Sequence, residues 1–96
     1  MLAKRDPLSG EEMETLRLQL RGHLDVLIPA VERAAARLPK GDGVRDRTRL
    51  SVAEARMRLR LGPGETLFLR VSVLLRLARS ARSLCEHLEN LGGDHP

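Results

Sequence analysis

From Met13 onward, apolar residues recur at steps of three and four: Met13, Leu16, Leu20, Leu24, Leu27, Val31, Ala34 and Leu38. That spacing lays them along one stripe of an α-helix. Just ahead of the stripe stands Ser9-Gly10-Glu11-Glu12, where Ser9 is a candidate N-cap and Glu12 its capping-box partner. Glu11, Glu12 and Glu14 also fall at the positive end of the helix dipole. Pro39, Gly41 and Gly43 close the pattern. Pro29 lies inside it, removes one backbone hydrogen bond, and predicts a kink or a split at that point.

A second helix is expected from about Arg45 to Leu61, capped by Asp42 or Asp46. Leu50, Ala53, Met57 and Leu61 share one of its faces, and Val52, Ala55 and Leu59 share the opposite one. Arginines fill the flanks. A helix that is apolar on two sides either packs between two neighbours or buries its second face against a partner. Val52, Ala55 and Leu59, with Arg45, Arg49, Arg56, Arg58 and Arg60 beside them, are therefore the candidate interaction surface.

Gly62-Pro63-Gly64-Glu65 breaks the chain, and Thr66 is placed to cap a third helix. Its stripe is Leu67, Val71, Leu74, Ala78, Ala81, Cys85 and Leu88, widened by Leu77, Leu84 and Leu91. Ser72, Arg76, Arg79, Ser83, Glu86 and Asn90 make the wet face, and Gly92-Gly93 supplies a C-terminal stop. Met57 to Leu61 and Leu67 to Val73 also alternate with period two, which would suit a β-hairpin. The three–four spacing continues past both stretches and favours helices. The expected fold is all-α: one domain over 1–96, an up-down-up three-helix bundle with its first helix kinked at Pro29. The helices span about 10–38, 45–61 and 66–91, with flexible ends at 1–8 and 92–96.

Composition narrows the class. With 42% apolar and 31% charged residues among 96, the chain has the make-up of a globular domain. Phe68 is its single aromatic, so there is little to stack on bases, sugars or flavins. Cys85 is the only cysteine and forms no intrachain disulfide. The segment Met1 to Glu12 has no apolar core of the secretory kind, and no apolar run reaches 18 residues. The expectation is a cytoplasmic protein that does not enter a membrane.

The formal charge of +4 is confined to one segment. Between Pro39 and Leu61, Lys40, Arg45, Arg47, Arg49, Arg56, Arg58 and Arg60 face only Asp42, Asp46 and Glu54, while the flanking segments balance. That concentration suits an acidic partner, nucleic acid included. It also suits a solvated flank whose aliphatic stems cover apolar surface. A DNA-reading helix should expose polar residues, and the helix after the Gly-Pro-Gly break is the most apolar of the three.

Candidate chemistry is sparse. His23, Cys85 and His87 are the residues to consider for a polar or metal site. Cys85 and His87 stand two apart on one helix, which at ~100° per residue turns them ~200° from each other. A zinc ion needs three or four converging ligands. Cys85 is accordingly expected to be a small buried hydrophobe, His23 a boundary residue, and His87 a surface residue near a helix end. The serines, Ser51 and Ser80 among them, lack a His and Asp at triad spacing, and the Gly-Pro-Gly loop lacks the Lys of a P-loop. No metal, no cofactor and no catalytic residue is assigned.

Several strings occur together in one order. Arg21-Gly22-His23-Leu24-Asp25-Val26-Leu27-Ile28-Pro29 resembles the opening of a family of short actinobacterial proteins of unknown function, labelled natural product biosynthesis proteins. Glu54-Ala55-Arg56-Met57-Arg58-Leu59 followed by Gly62-Pro63-Gly64 is similar to its middle. Arg76-Leu77-Ala78-Arg79 and Leu84-Cys85-Glu86-His87-Leu88-Glu89-Asn90 resemble its ending, with Leu88 where Tyr is the more usual residue. The resemblance covers about Leu16 to Leu91. It implies an accessory role in secondary metabolism and carries no catalytic residue with it. The expected function is a small helical interaction protein that binds a protein partner and self-associates, the alternatives being a nucleic-acid-associated regulator using the basic 45–60 helix and a ligand or metal carrier in the bundle core.

Overall fold

The computed structural model describes residues 8–92. The flexible ends expected at 1–8 and 92–96 lie, except for Leu8 and Gly92, outside the described residues. Three helices make up the fold: α1 (Gly10–Ala35), α2 (Gly43–Leu59) and α3 (Leu67–Asn90). No strand occurs among the described residues, so the alternating stretches form no hairpin: Met57 to Leu59 ends α2, two residues short of the expected Leu61, and Leu67 to Val73 opens α3.

Each helix begins where its local chemistry starts it. Ser9 Oγ accepts from the Glu12 amide at 3.0 Å, and Glu12 Oε1 accepts from the Ser9 amide at 2.8 Å, a complete capping box. Asp42, not Asp46, caps α2 by accepting from the Val44 and Arg45 amides. Thr66 Oγ1 accepts from the Leu69 amide at 3.1 Å and caps α3.

The ends depart slightly from expectation. α1 stops at Ala35, not at Leu38, because its last carbonyls bond three residues on: Arg37 N–H to Ala34 O and Leu38 N–H to Ala35 O. Pro39 has no N–H to continue the ladder and disfavours helical backbone at Leu38. Gly41 (φ 85°) then turns the chain into Asp42, whose amide bonds Pro39 O at 3.1 Å. Gly64 has φ 94°, and an added Cβ would lie 2.8 Å from the Arg70 amide nitrogen and from Leu69 C. Glycine is required there for both reasons. α1 runs through Pro29 as one helix of 26 residues and is not split. Pro29 is exposed and so is Asp25 four residues earlier, so water can serve the carbonyl that loses its donor.

The helices pack up-down-up, each against both others, with α1 and α3 sharing the broadest contact. Leu24, Ile28 and Val31 of α1, Val52 and Ala55 of α2, and Val73, Leu77 and Leu84 of α3 form the core. Two sequence assignments change here. On α2 the covered face is Thr48, Val52 and Ala55, with Leu59 half-buried beside them, and the apolar residues left in solvent are Leu50 and Met57. On α3 the buried residues are Val73, Leu74, Leu77, Ser80 and Leu84, with Ala81 and Leu88 half-buried, whereas Leu67, Val71, Ala78 and Cys85 are exposed. The inward arc of α3 is therefore centred on Leu77 and Leu84, which the spacing gave only as the widening of the stripe, and Leu67, Val71, Ala78 and Cys85 fall outside it. Both helices carry apolar residues over more than half their circumference, and periodicity does not say which arc meets the neighbours.

Candidate functional site

The arginines of α2 divide into two groups. Arg56 and Arg58 are engaged. Arg56 Nη2 lies 2.7 Å from Glu32 Oε2 on α1. Arg58 donates to Ser80 Oγ at 2.9 Å and to Arg76 O at 3.2 Å, and approaches Glu54 Oε2 at 3.3 Å. It is a strut between α2 and α3 that satisfies the buried Ser80 hydroxyl. Arg45, Arg49 and Arg60 make no side-chain hydrogen bond or ion pair among the described residues. The Nε of Arg45 is buried without an acceptor. Leaving such a donor unpaired costs about 1–3 kcal/mol.

Arg45, Arg49 and Arg56 point along one flank of α2 into a groove of about 390 Å³ against the end of α1. Ala35, Ala36, Val52 and Ala53 form its apolar walls, and Glu32 and Thr48 complete it. A second cavity of about 320 Å³ lies under the Pro63-Gly64 loop, lined among others by Glu14, Arg17 and Arg70. Its charges are already paired: Arg17 donates twice to Glu14, at 2.9 and 2.7 Å. That hydrogen-bonded pair lowers the Glu14 carboxyl below the usual range and raises the Arg17 guanidinium. Arg70 Nε donates to Gly64 O at 3.3 Å.

The three residues proposed for a polar site do not meet. His23 is exposed on α1, Cys85 is exposed on α3, and His87 is half-buried between α2 and α3. Among the described residues no three His, Cys, Asp or Glu side chains come together in a way that would hold a metal ion. His87 is not a free surface residue. Its Nδ1 lies 3.2 Å from Thr48 Oγ1 and its Nε2 lies 3.0 Å from Ser51 Oγ. A neutral imidazole donates through one nitrogen and accepts through the other, and each hydroxyl can take either role.

Sequence spacing missed the Ser51–His87 pair because 36 residues separate the partners. Topology supplies the signal: the start of α2 lies beside the end of α3 in an up-down-up bundle, and Thr48 and Ser51 stand three apart on one face. A hydroxyl within hydrogen-bond reach of an imidazole is also the first contact of a Ser–His nucleophile. Here the second nitrogen meets a threonine hydroxyl and not a carboxylate, so no anion stands ready to stabilise an imidazolium. The arrangement ties two helices together.

α3 leaves more large apolar side chains exposed than either of the other helices. Phe68 is 79% exposed, Leu75 49% and Val71 41%, and the three recur at steps of three and four on the side away from the core. Leu67 and Ala78 extend this strip. Arg21 has a different duty: its guanidinium donates to the Leu59 carbonyl at the end of α2, so the first residue of the Arg21-Gly22-His23 string closes a helix terminus. No helix among the described residues is long and apolar enough to cross a membrane.

Residues 1–93 match a family of unknown function, DUF6415, and the chain belongs to that family. No curated protein and no solved structure matches it.

Proposed function

We propose that this member of the DUF6415 family is an interaction module that works by docking and not by catalysis, with the outward strip of α3 as its contact face and a second copy of the chain as its occupant. The observation that carries this reading is the exposure of Phe68, Val71 and Leu75 in one line. A contiguous apolar strip on so small a protein ordinarily meets a partner. The strip is also neutral. From Leu67 to Leu75 the only charged residue is Arg70, and its guanidinium is turned to Gly64 O. A neutral apolar face suits another of its kind, which a two-fold related copy supplies.

The expected dimer is weak. Burying these side chains from both copies gains on the order of 8 kcal/mol, and association costs at least about 4 kcal/mol of it. The surplus is at most about 4 kcal/mol, which corresponds to a dissociation constant of roughly 1 mM or weaker. An accessory role in secondary metabolism, suggested by the sequence strings, belongs to the same reading. The basic-helix alternative has less support, since Arg56 and Arg58 are already held by Glu32, Ser80 and Glu54.

Light scattering and sedimentation from about 10 μM to about 5 mM test the dimer. The mass should rise from 10.7 kDa toward twice that value, and Phe68→Glu should hold it at the monomer value with helicity unchanged. A wild-type mass that stays monomeric over the whole range defeats the self-association reading.

A further inference from the structure

We propose that the groove between the end of α1 and the flank of α2 binds a small organic anion, with its head on Arg45 and Arg49 and its aliphatic body against the alanines. This site is separate from the α3 strip and does not depend on it.

Charge is the first argument. The groove holds three guanidiniums against one carboxylate, and that carboxylate, Glu32, already pairs with Arg56 at 2.7 Å. Arg45 and Arg49 are left as an uncompensated pair one helical turn apart, about 6 Å along the axis. The second argument is the unmet donor. Arg45 Nε is buried with no acceptor, although buried donors in folded proteins are nearly always satisfied. The only hydroxyl in the wall, Thr48 Oγ1, is engaged with His87. The Nε itself has almost no accessible surface, so a ligand head in the groove meets the rest of the Arg45 guanidinium and Arg49 first, and reaches the Nε only if the Arg45 side chain turns outward.

The third argument is shape. Ala35, Ala36 and Ala53 keep the floor open where larger residues would close it, and the volume of about 390 Å³ lies within the range of small-ligand sites. The guanidinium fork matches the two oxygens of a carboxylate or phosphate. The expected ligand therefore joins such a head to a short aliphatic chain. Its position between two helices, beside the wall of α1, suits a small molecule better than a duplex.

The test follows the arginine Nε–Hε signals and the alanine methyls by NMR, at constant ionic strength. Inorganic phosphate, hexyl phosphate and hexanoate are the probes, so that head and body are read separately. Hexyl phosphate or hexanoate should shift Arg45, Arg49 and the methyls of Ala36 and Ala53, and should bind at least ~10-fold tighter than inorganic phosphate, given the gain per buried methylene. Arg49→Gln should weaken binding ~3-fold or more, as loss of one charge-assisted contact requires. Ala53→Leu, at an exposed position, should remove the advantage of the hexyl chain while leaving inorganic phosphate as it was. The proposal is overturned by no shift up to ~20 mM of any probe, a ceiling set by the weakest affinities worth calling specific. It is equally overturned if Arg17, Arg58 and Arg82 shift as much as Arg45 and Arg49, if Arg49→Gln binds like the wild type, or if duplex DNA gives the same local shifts with greater affinity.

Discussion

Thr48 shows how much one polar residue can carry. It is fully buried, it approaches His87 Nδ1 at 3.2 Å, and it also borders the groove beside Arg45. Thr48→Val keeps the shape and removes the hydroxyl. The imidazole then loses a partner while half-buried, and the expected loss is about 1–2 kcal/mol, measured by urea unfolding. An unchanged midpoint would mean that water replaces the hydroxyl and that the contact holds nothing. Ser51, on the rim, should be the more forgiving of the two. The pairing of Arg58 with Ser80 follows the same rule: a polar atom is tolerated in the core line because a long side chain reaches in to meet it. Cys85, by contrast, is exposed, because the core arc of α3 passes through Leu84.

At the scale of the element, α1 is the helix under local conflict. Its start is well capped and its stripe is long, yet Pro29 sits inside it. Proline in a helix interior costs roughly 3 kcal/mol through the missing bond and the ring's clash with the preceding turn. The helix persists because Leu24, Ile28 and Val31, on either side of the proline, are buried against α2 and α3. Pro29→Ala at this exposed position should therefore stabilise the protein, by about 1–3 kcal/mol, read from denaturant unfolding. A loss of stability would show that the backbone Pro29 imposes is needed for α1 to reach both neighbours. α2 presents the opposite case. Its capping is sound, but few of its residues are buried, and those few include Val52 and Ala55, which were expected to form an outer face. Cap residues and breakers were legible in the chain because they act over three or four residues. The direction in which α2 and α3 turn their broad apolar arcs was not, because it depends on partners 20 or more residues away.

For the whole molecule, stability rests on a small set of side chains shared by three helices. Leu24, Leu77 and Leu84 are the largest of the fully buried ones. Leu77→Ala should cost about 2–5 kcal/mol, and a domain of this size commonly holds only about 5–15 kcal/mol in all. The variant is expected to unfold at a much lower urea concentration than the wild type, and a shift no larger than that of an exposed substitution would contradict the core described here. The same arrangement sets what is left outside. Once α3 commits Val73, Leu77, Ser80 and Leu84 inward, Phe68, Val71 and Leu75 have only solvent or another molecule to meet. Once α2 commits Thr48, Val52 and Ala55 inward, Arg45 and Arg49 are carried to the seam with α1.

The amino-acid sequence by itself determined the helical class, the number of helices, their caps at Ser9, Asp42 or its neighbour, and Thr66, and the glycine-bearing breaks between them. These features are set by hydrogen bonds and backbone torsions within a few residues. Tertiary structure alone decided which arc of each helix faces inward, that His87 meets Thr48 and Ser51, that Arg58 reaches Ser80, and that Arg45 comes to rest without an acceptor. Each of these joins residues far apart in the chain, and only the mutual fit of three helices settles the rotation that brings them together.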